Sequence, residues 1–155
     1  MNTEDRIRLQ KELVESIGRQ AEQEGMQPVT ARVMALLMVM DREEYAFDEI
    51  VAELNISKSS ASLALNTLQI KGIVEYITRP GERKRYFRIK VQEPFYLFEE
   101  IKKALTLKRD NMQKICDLKA NPNTRTVLFF KELQQITDFF LAEMERLKTS
   151  YLHNK

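Results

Sequence analysis

Between Phe47 and Val91 the spacing of apolar residues changes from a helical period to a strand period, and this change limits the possible folds more than any other feature. Phe47, Ile50, Val51 and Leu54 stand at i, i+3, i+4 and i+7, the stripe of a short helix. Ala61, Ala64, Leu65 and Leu68 form the inward stripe of another helix. Between the stripes lie Asn55, which tolerates a left-handed backbone, and Ser57, whose hydroxyl can cap the following helix. Lys71-Gly72 closes that helix. From Ile73 the period is 2. Residues 73–79 are β-branched and aromatic, Pro80-Gly81 is a turn pair, and residues 84–91 alternate. Phe87, Ile89 and Val91 are expected on a buried face, and Tyr86, Arg88 and Lys90 on a basic one. Two helices at a tight turn followed by a two-stranded hairpin are predicted.

Helices are expected on both sides of this block. Asn2 or Thr3 can cap a first helix, with Glu4 and Asp5 favourable at the positive end of its dipole. Ile7, Leu13, Val14, Ile17 and Ala21 stripe it, and Gly25 ends it. Pro28 suits the first turn of a second helix, which is apolar nearly all round over residues 33–40 and therefore central. After the hairpin, Glu93-Pro94 opens a long helix reaching about Leu118. Its Phe98, Ile101, Leu105, Met112 and Ile115 follow the spacing of a helix–helix seam, interrupted by Lys108 and Asn111. A loop at Ala120-Asn121-Pro122-Asn123 precedes a last long helix striped by Phe129, Leu133, Ile136, Phe140, Met144, Leu147 and Tyr151.

Composition removes several function classes. The chain has 155 residues, enough for a core without staples. One Cys excludes a disulfide framework, and His153 alone leaves no set for structural zinc or Ser-His catalysis. A Gly-rich phosphate loop and a nucleophile motif are both absent from the sequence, so neither an enzyme nor a cofactor is expected. No apolar run approaches the roughly 20 residues that span a bilayer. The N-terminus lacks the basic-then-apolar order of a signal peptide, and a cytoplasmic protein is expected.

The formal net charge of +2 is unevenly spread. Residues 1–56 carry 6 basic and 12 acidic side chains, whereas residues 57–92 carry 8 basic and 2 acidic. A basic block of this kind suits a polyanion, because each cation near a phosphate releases condensed counterions. Helix, turn, helix and basic hairpin, in that order, make a winged helix-turn-helix. Such a fold places its second helix in the DNA major groove, so the outward face must be small or hydrogen-bonding. Facing away from the apolar stripe are Ser59, Ser62, Leu63 and Asn66. Asn66 suits an adenine edge and Leu63 a thymine methyl. Lys58 and Ser60 lie in the first turn, where free N–H groups favour phosphate. Arg79, Arg83, Lys84 and Arg85 supply the hairpin's charge, and an arginine is favoured in a narrow groove.

Leu54-Asn55-Ile56-Ser57-Lys58-Ser59-Ser60-Ala61-Ser62, with Leu65, Leu68 and Gly72-Ile73-Val74, resembles the helix-turn-helix of the MarR superfamily. Pro80-Gly81-Glu82-Arg83-Lys84-Arg85-Tyr86-Phe87 resembles the wing of its GbsR-type regulators, and Gln27-Pro28-Val29-Thr30-Ala31-Arg32-Val33 resembles the helix before it. The resemblance covers residues 25 to 92 or so. Ala46 departs from the usual capping Ser or Thr, and Asn55 from the common Gly. The resemblance implies a homodimeric, DNA-binding transcriptional regulator, a repressor responsive to a small ligand such as a choline-like quaternary amine.

The expected organisation is mainly α with a small β-hairpin. Residues 1–26 would form an N-terminal helix contributing to dimerisation, 27–92 the DNA-binding domain and 93–155 a helical dimerisation region. The long helices carry more apolar surface than one pair buries, which points to a two-fold dimer reading a pseudo-palindrome; a self-contained helical hairpin is the alternative. Tyr96, Phe98, Lys108 and Phe129 are the candidates for lining an effector site, with cation–π attraction from the aromatics. The same aromatics at helical spacing also serve as ordinary packing. Cys116 beside the apolar seam is expected to be inert. A winged-helix module that docks a protein and not DNA is the competing function. The absence of acidic groups from the outward face favours DNA.

Overall fold

The computed structural model describes residues 2–154. Its elements are α1 (Thr3–Gln23), α2 (Pro28–Val39), β1 (Tyr45–Ala46), α3 (Phe47–Leu54), α4 (Lys58–Ile70), β2 (Val74–Thr78), β3 (Arg85–Ile89), α5 (Tyr96–Leu118) and α6 (Arg125–His153). The fold is mainly helical with one small antiparallel sheet, a winged helix-turn-helix flanked in sequence by long helices. It divides into two compact units, one ending at Val91 and the other starting at Gln92. Among the described residues no helix is long and apolar enough to cross a membrane.

The first unit is built around α2, as its nearly all-round apolarity requires. Val33, Leu36 and Leu37 pack with Ile50 of α3, Ala64, Leu65 and Leu68 of α4, and Val74 and Phe87 of the sheet. Burying each of the large aliphatic side chains contributes about 1.5–3 kcal/mol. Helix α1 lies along α2. Gly18, costly inside a helix, is explained by that approach: a Cβ there would stand 3.1 Å from the Arg32 side chain. Arg32 crosses the interface to bond Glu15 at 3.2 Å and also bonds Glu22.

Helix ends follow local chemistry. The Asn2 side chain accepts from the Asp5 N–H at 2.7 Å, and the Ser57 hydroxyl accepts from the Ser60 N–H at 3.1 Å. Asn55 adopts the left-handed conformation with φ 49°, which turns the chain between α3 and α4. Ala46, without an acceptor side chain, is stabilised the other way round. Its own N–H donates to the Glu49 carboxylate at 2.7 Å, and Arg42 bonds both oxygens of that carboxylate at 3.0 Å. The Ala46 N–H, with help from Arg42, keeps Glu49 below its ordinary carboxylate pKa.

Three features differ from expectation. The hairpin is a three-stranded sheet of order β1-β3-β2, because Tyr45 pairs with Phe87 and Ala46 with Tyr86. A two-residue strand is too short to show a period in sequence. Val91 is not on the buried face but 90% exposed, since β3 ends at Ile89. Helix α5 starts at Tyr96 and not at Glu93-Pro94, which instead form a turn closed by the Tyr96 N–H on the Glu93 carbonyl at 2.9 Å.

The second unit is an antiparallel hairpin of α5 and α6. Arg109 bonds Asp138 at 2.9 Å, Lys102 bonds Glu145 and Lys148 bonds Glu99. Thr124 caps α6 through the Val127 N–H. The pairing leaves most of the apolar surface outside. Helix α5 has no buried residue, and α6 has Val127, Gln134 and Thr137. Phe98, Ile101, Phe129, Ile136, Phe140, Leu147 and Tyr151 are all exposed. A self-contained hairpin that buries its own stripes is therefore not what forms.

Candidate nucleic-acid interface

Helix α4 separates its residues by chemistry. Ala61, Ala64, Leu65 and Leu68 are buried against α2 and the sheet, while Ser59, Ser62, Leu63 and Asn66 are exposed together on the opposite face. Leu63 is 67% exposed, a large fraction for a leucine with no partner in the core. Ser59, Ser62, Leu63 and Asn66 line a cleft between α4 and β3 whose other walls include Gln69, Arg85 and Phe47. The outward face thus offers hydroxyls, an amide and a methyl-bearing surface with no charge of either sign. Base edges in a major groove are read by groups of this kind.

The first turn is less free than its sequence suggests. Ser57 donates to the Ser60 hydroxyl at 2.8 Å and lies 3.0 Å from that of Ser59, so these hydroxyls share one local network. Ser60 is half-buried. Lys58 is exposed but pairs with Asp48 of α3 at 3.4 Å. Both side chains of that pair are largely exposed to solvent, so it holds the ammonium only weakly.

The four cations expected of the wing fall into two groups. Arg83, Lys84 and Arg85 are exposed, and among the described residues no carboxylate lies within ion-pair distance of them. Arg79 is differently placed. It donates to Glu44 at 2.8 Å and stacks on the Tyr86 ring at 4.2 Å. The hydrogen bond to Glu44 raises its already high pKa, so it is a permanent cation held by an internal carboxylate. Arg88, on the supposed basic face, likewise bonds Glu75 at 2.7 Å and sits 3.8 Å from Glu44. The net positive charge that sequence assigns to the hairpin is concentrated at its tip. Sequence reading missed Glu44 and Gln69. A Gln three residues after Asn66 was visible on the same face, but nothing local pairs Glu44 with Arg79.

Of the four candidates for an effector site, Phe98 alone lines the concavity at the Phe95 end of the second unit. Its walls include Phe95, Tyr151, Met144, Leu147 and the Glu99–Lys148 pair. Phe95 contacts both rings, with centroids 5.9 Å from Phe98 and 5.5 Å from Tyr151. Tyr96 and Lys108 are exposed elsewhere, and Phe129 contacts Phe130 in a tilted arrangement at the opposite end of the hairpin. At 1.5 Å per residue, the 19 positions from Phe129 to Lys148 span about 28 Å. Within one chain the four side chains do not form a single enclosure. Cys116 is half-buried, with its sulfur 4.0 Å from the Val127 carbonyl and the Gln134 amide.

No protein-family model matches the chain, and no curated protein matches its sequence. Solved structures do. One described as a transcriptional regulator superposes with a TM-score of 0.71 at 20% identity, covering 93% of this chain and 98% of that one. ZitR from Lactococcus lactis, in a mutant apo form, gives 0.37 at 17% identity over 95% and 98% of the two chains. The adhesin competence repressor AdcR from Streptococcus pyogenes gives 0.36 at 18% over the same shares. The first superposition establishes that this chain has the fold of a known transcriptional regulator.

Proposed function

We propose that this protein is a sequence-specific DNA-binding transcriptional regulator of the GbsR type within the MarR superfamily, a repressor that binds a pseudo-palindromic operator as a homodimer. The observation that carries the proposal is the pairing, on one unit, of an exposed uncharged hydrogen-bonding face on α4 with a wing tip whose exposed Arg83, Lys84 and Arg85 lie outside ion-pair distance of any carboxylate among the described residues. In this mechanism α4 enters the major groove. Ser59, Ser62, Leu63 and Asn66 meet base edges, and Lys58 and Ser60 lie near phosphate at the helix start. Arg83, Lys84 and Arg85 reach the backbone or the neighbouring minor groove, where the potential is most negative. The exposed stripe of α6, at Phe129, Ile136, Phe140, Leu147 and Tyr151, suits a second copy of the chain. A two-fold pair would set its recognition helices about 34 Å apart, one turn of DNA.

Fluorescence anisotropy with duplexes from upstream of the protein's own gene, titrated at several salt concentrations, tests this. Tight binding that beats random duplex and weakens steeply with salt is expected, and the slope counts phosphate contacts. Release on adding a choline-like quaternary amine would extend the proposal to the effector that the sequence resemblance implies. Absence of binding to any duplex at low salt would overturn it in favour of a winged-helix module that docks a protein.

A further inference from the structure

One continuous set of contacts braces the wing from base to tip. Glu44 lies in the connector before β1, with its side chain only 21% exposed. Its carboxylate accepts from Arg79 at 2.8 Å and faces Arg88 at 3.8 Å. Arg88 in turn bonds Glu75, its register partner on β2. The Arg79 guanidinium covers the Tyr86 ring at 4.2 Å. The Tyr86 hydroxyl donates to Glu82 at 2.7 Å, and the Glu82 N–H closes on the Arg79 carbonyl at 3.1 Å. These contacts enclose the turn at Pro80 and Gly81, where Gly81 takes φ +80° without the strain a side chain would bring.

We infer that Glu44, Arg79, Tyr86 and Glu82 form a positioning clamp that sets the wing tip, and that Arg79 acts as a strut inside it and not as a phosphate contact. The inference deepens the DNA-binding proposal and rests on it for its functional consequence. The physical reason is preorganisation. A hairpin tip ordered only on binding loses conformational entropy at that moment, whereas a clamped tip has already lost it on folding. Glu44 presents two opposite possibilities. As a bare negative charge near DNA it would repel phosphate, and removing the charge would tighten binding. As the anchor of Arg79 it holds the wing, and removing the charge weakens binding.

The test uses the full-length protein and the variants Glu44→Gln, Tyr86→Phe and Arg79→Ala, with Arg83→Ala as the comparison. Tyr86→Phe keeps the ring and removes only the hydroxyl, so it leaves the fold intact. Amide hydrogen exchange over residues 79–86 of the free protein should quicken in the three clamp variants. Their operator dissociation constants should rise by about three- to tenfold, as expected for one or two lost hydrogen bonds. The slope of log affinity against log salt should stay at the wild-type value, because no phosphate contact has been removed. In Arg83→Ala that slope should fall by about 1.8, one phosphate contact in each of the two copies, with exchange unchanged. Tighter binding by Glu44→Gln, a slope loss of about 1.8 in Arg79→Ala, or unaltered exchange would each overturn the clamp. Wild-type protein that binds no duplex would overturn the DNA proposal instead, and the exchange arm alone would then decide the clamp.

Discussion

Truncating Phe140 to alanine asks whether the exposed stripe of α6 joins two copies of this chain. Phe140 is 52% exposed in the single chain. A phenylalanine presents about 200 Å², so roughly 100 Å² of ring faces outward. At about 25 cal/mol per Å², covering it is worth roughly 2.5 kcal/mol in each copy. A two-fold interface uses the position twice, which doubles the figure to roughly 5 kcal/mol. Association also orders side chains and desolvates polar neighbours, so buried area converts to affinity only in part. Taking half, about 2.5 kcal/mol, the dimer dissociation constant should rise by roughly 70-fold. Sedimentation velocity over a concentration series would measure this, with far-UV circular dichroism to verify that the helices persist. Operator binding should become steeper in protein concentration as dimerisation becomes limiting. An unchanged dimer constant for Phe140→Ala, or a wild-type chain that stays monomeric at high concentration, would refute the assignment of this stripe.

Other substitutions separate the remaining roles. Asn66→Ala should cost about 1–3 kcal/mol per half-site on the operator and little on random duplex, read by competition anisotropy. Equal loss on both would contradict base reading. Asn55 holds φ 49°, so Asn55→Gly should melt close to wild type whereas Asn55→Val should lose about 1–2 kcal/mol in chemical denaturation. Glu49 is kept below its ordinary pKa by the Ala46 N–H and then by Arg42. A lowered native pKa stabilises the fold above the ordinary carboxylate range, and the gain is lost as pH falls through the lowered value. Glu49→Gln should therefore melt earlier than wild type at pH 7, with the gap narrowing below about pH 4. A gap that is constant from pH 7 to pH 3 would show that charge is not the cause.

Much of the fold, and the exposed face that the candidate interface rests on, were legible in sequence because their causes are local. Asn55 and Ser57 turn and cap the chain through their own backbone neighbours. Pro80-Gly81 makes its turn by restricting one dihedral and freeing the next. The change of period near Ile73 divides helix from strand, and the face opposite Ala61, Ala64, Leu65 and Leu68 follows from helical geometry alone. Ser59, Ser62, Leu63 and Asn66 were assigned by that geometry, and the exposed positions agree.

The partners of the charges were decided only by tertiary structure. Arg79 meets a carboxylate 35 residues away because β1 is drawn against β3, and β1 is two residues long with no period to read. Lys58 meets Asp48 only because α3 packs on α4. Whether the stripes of α5 and α6 consume each other or remain outside depends on how two helices rotate about their axes. Spacing along the chain sets the stripe, but only the packed pair shows the rotation, in which Val127 is buried while Arg109 meets Asp138 and Lys148 meets Glu99. Local preferences act over a few residues and survive in any context. The Arg79–Glu44, Arg109–Asp138 and Lys148–Glu99 pairs join distant segments brought together by the fold, and no short window of sequence contains them.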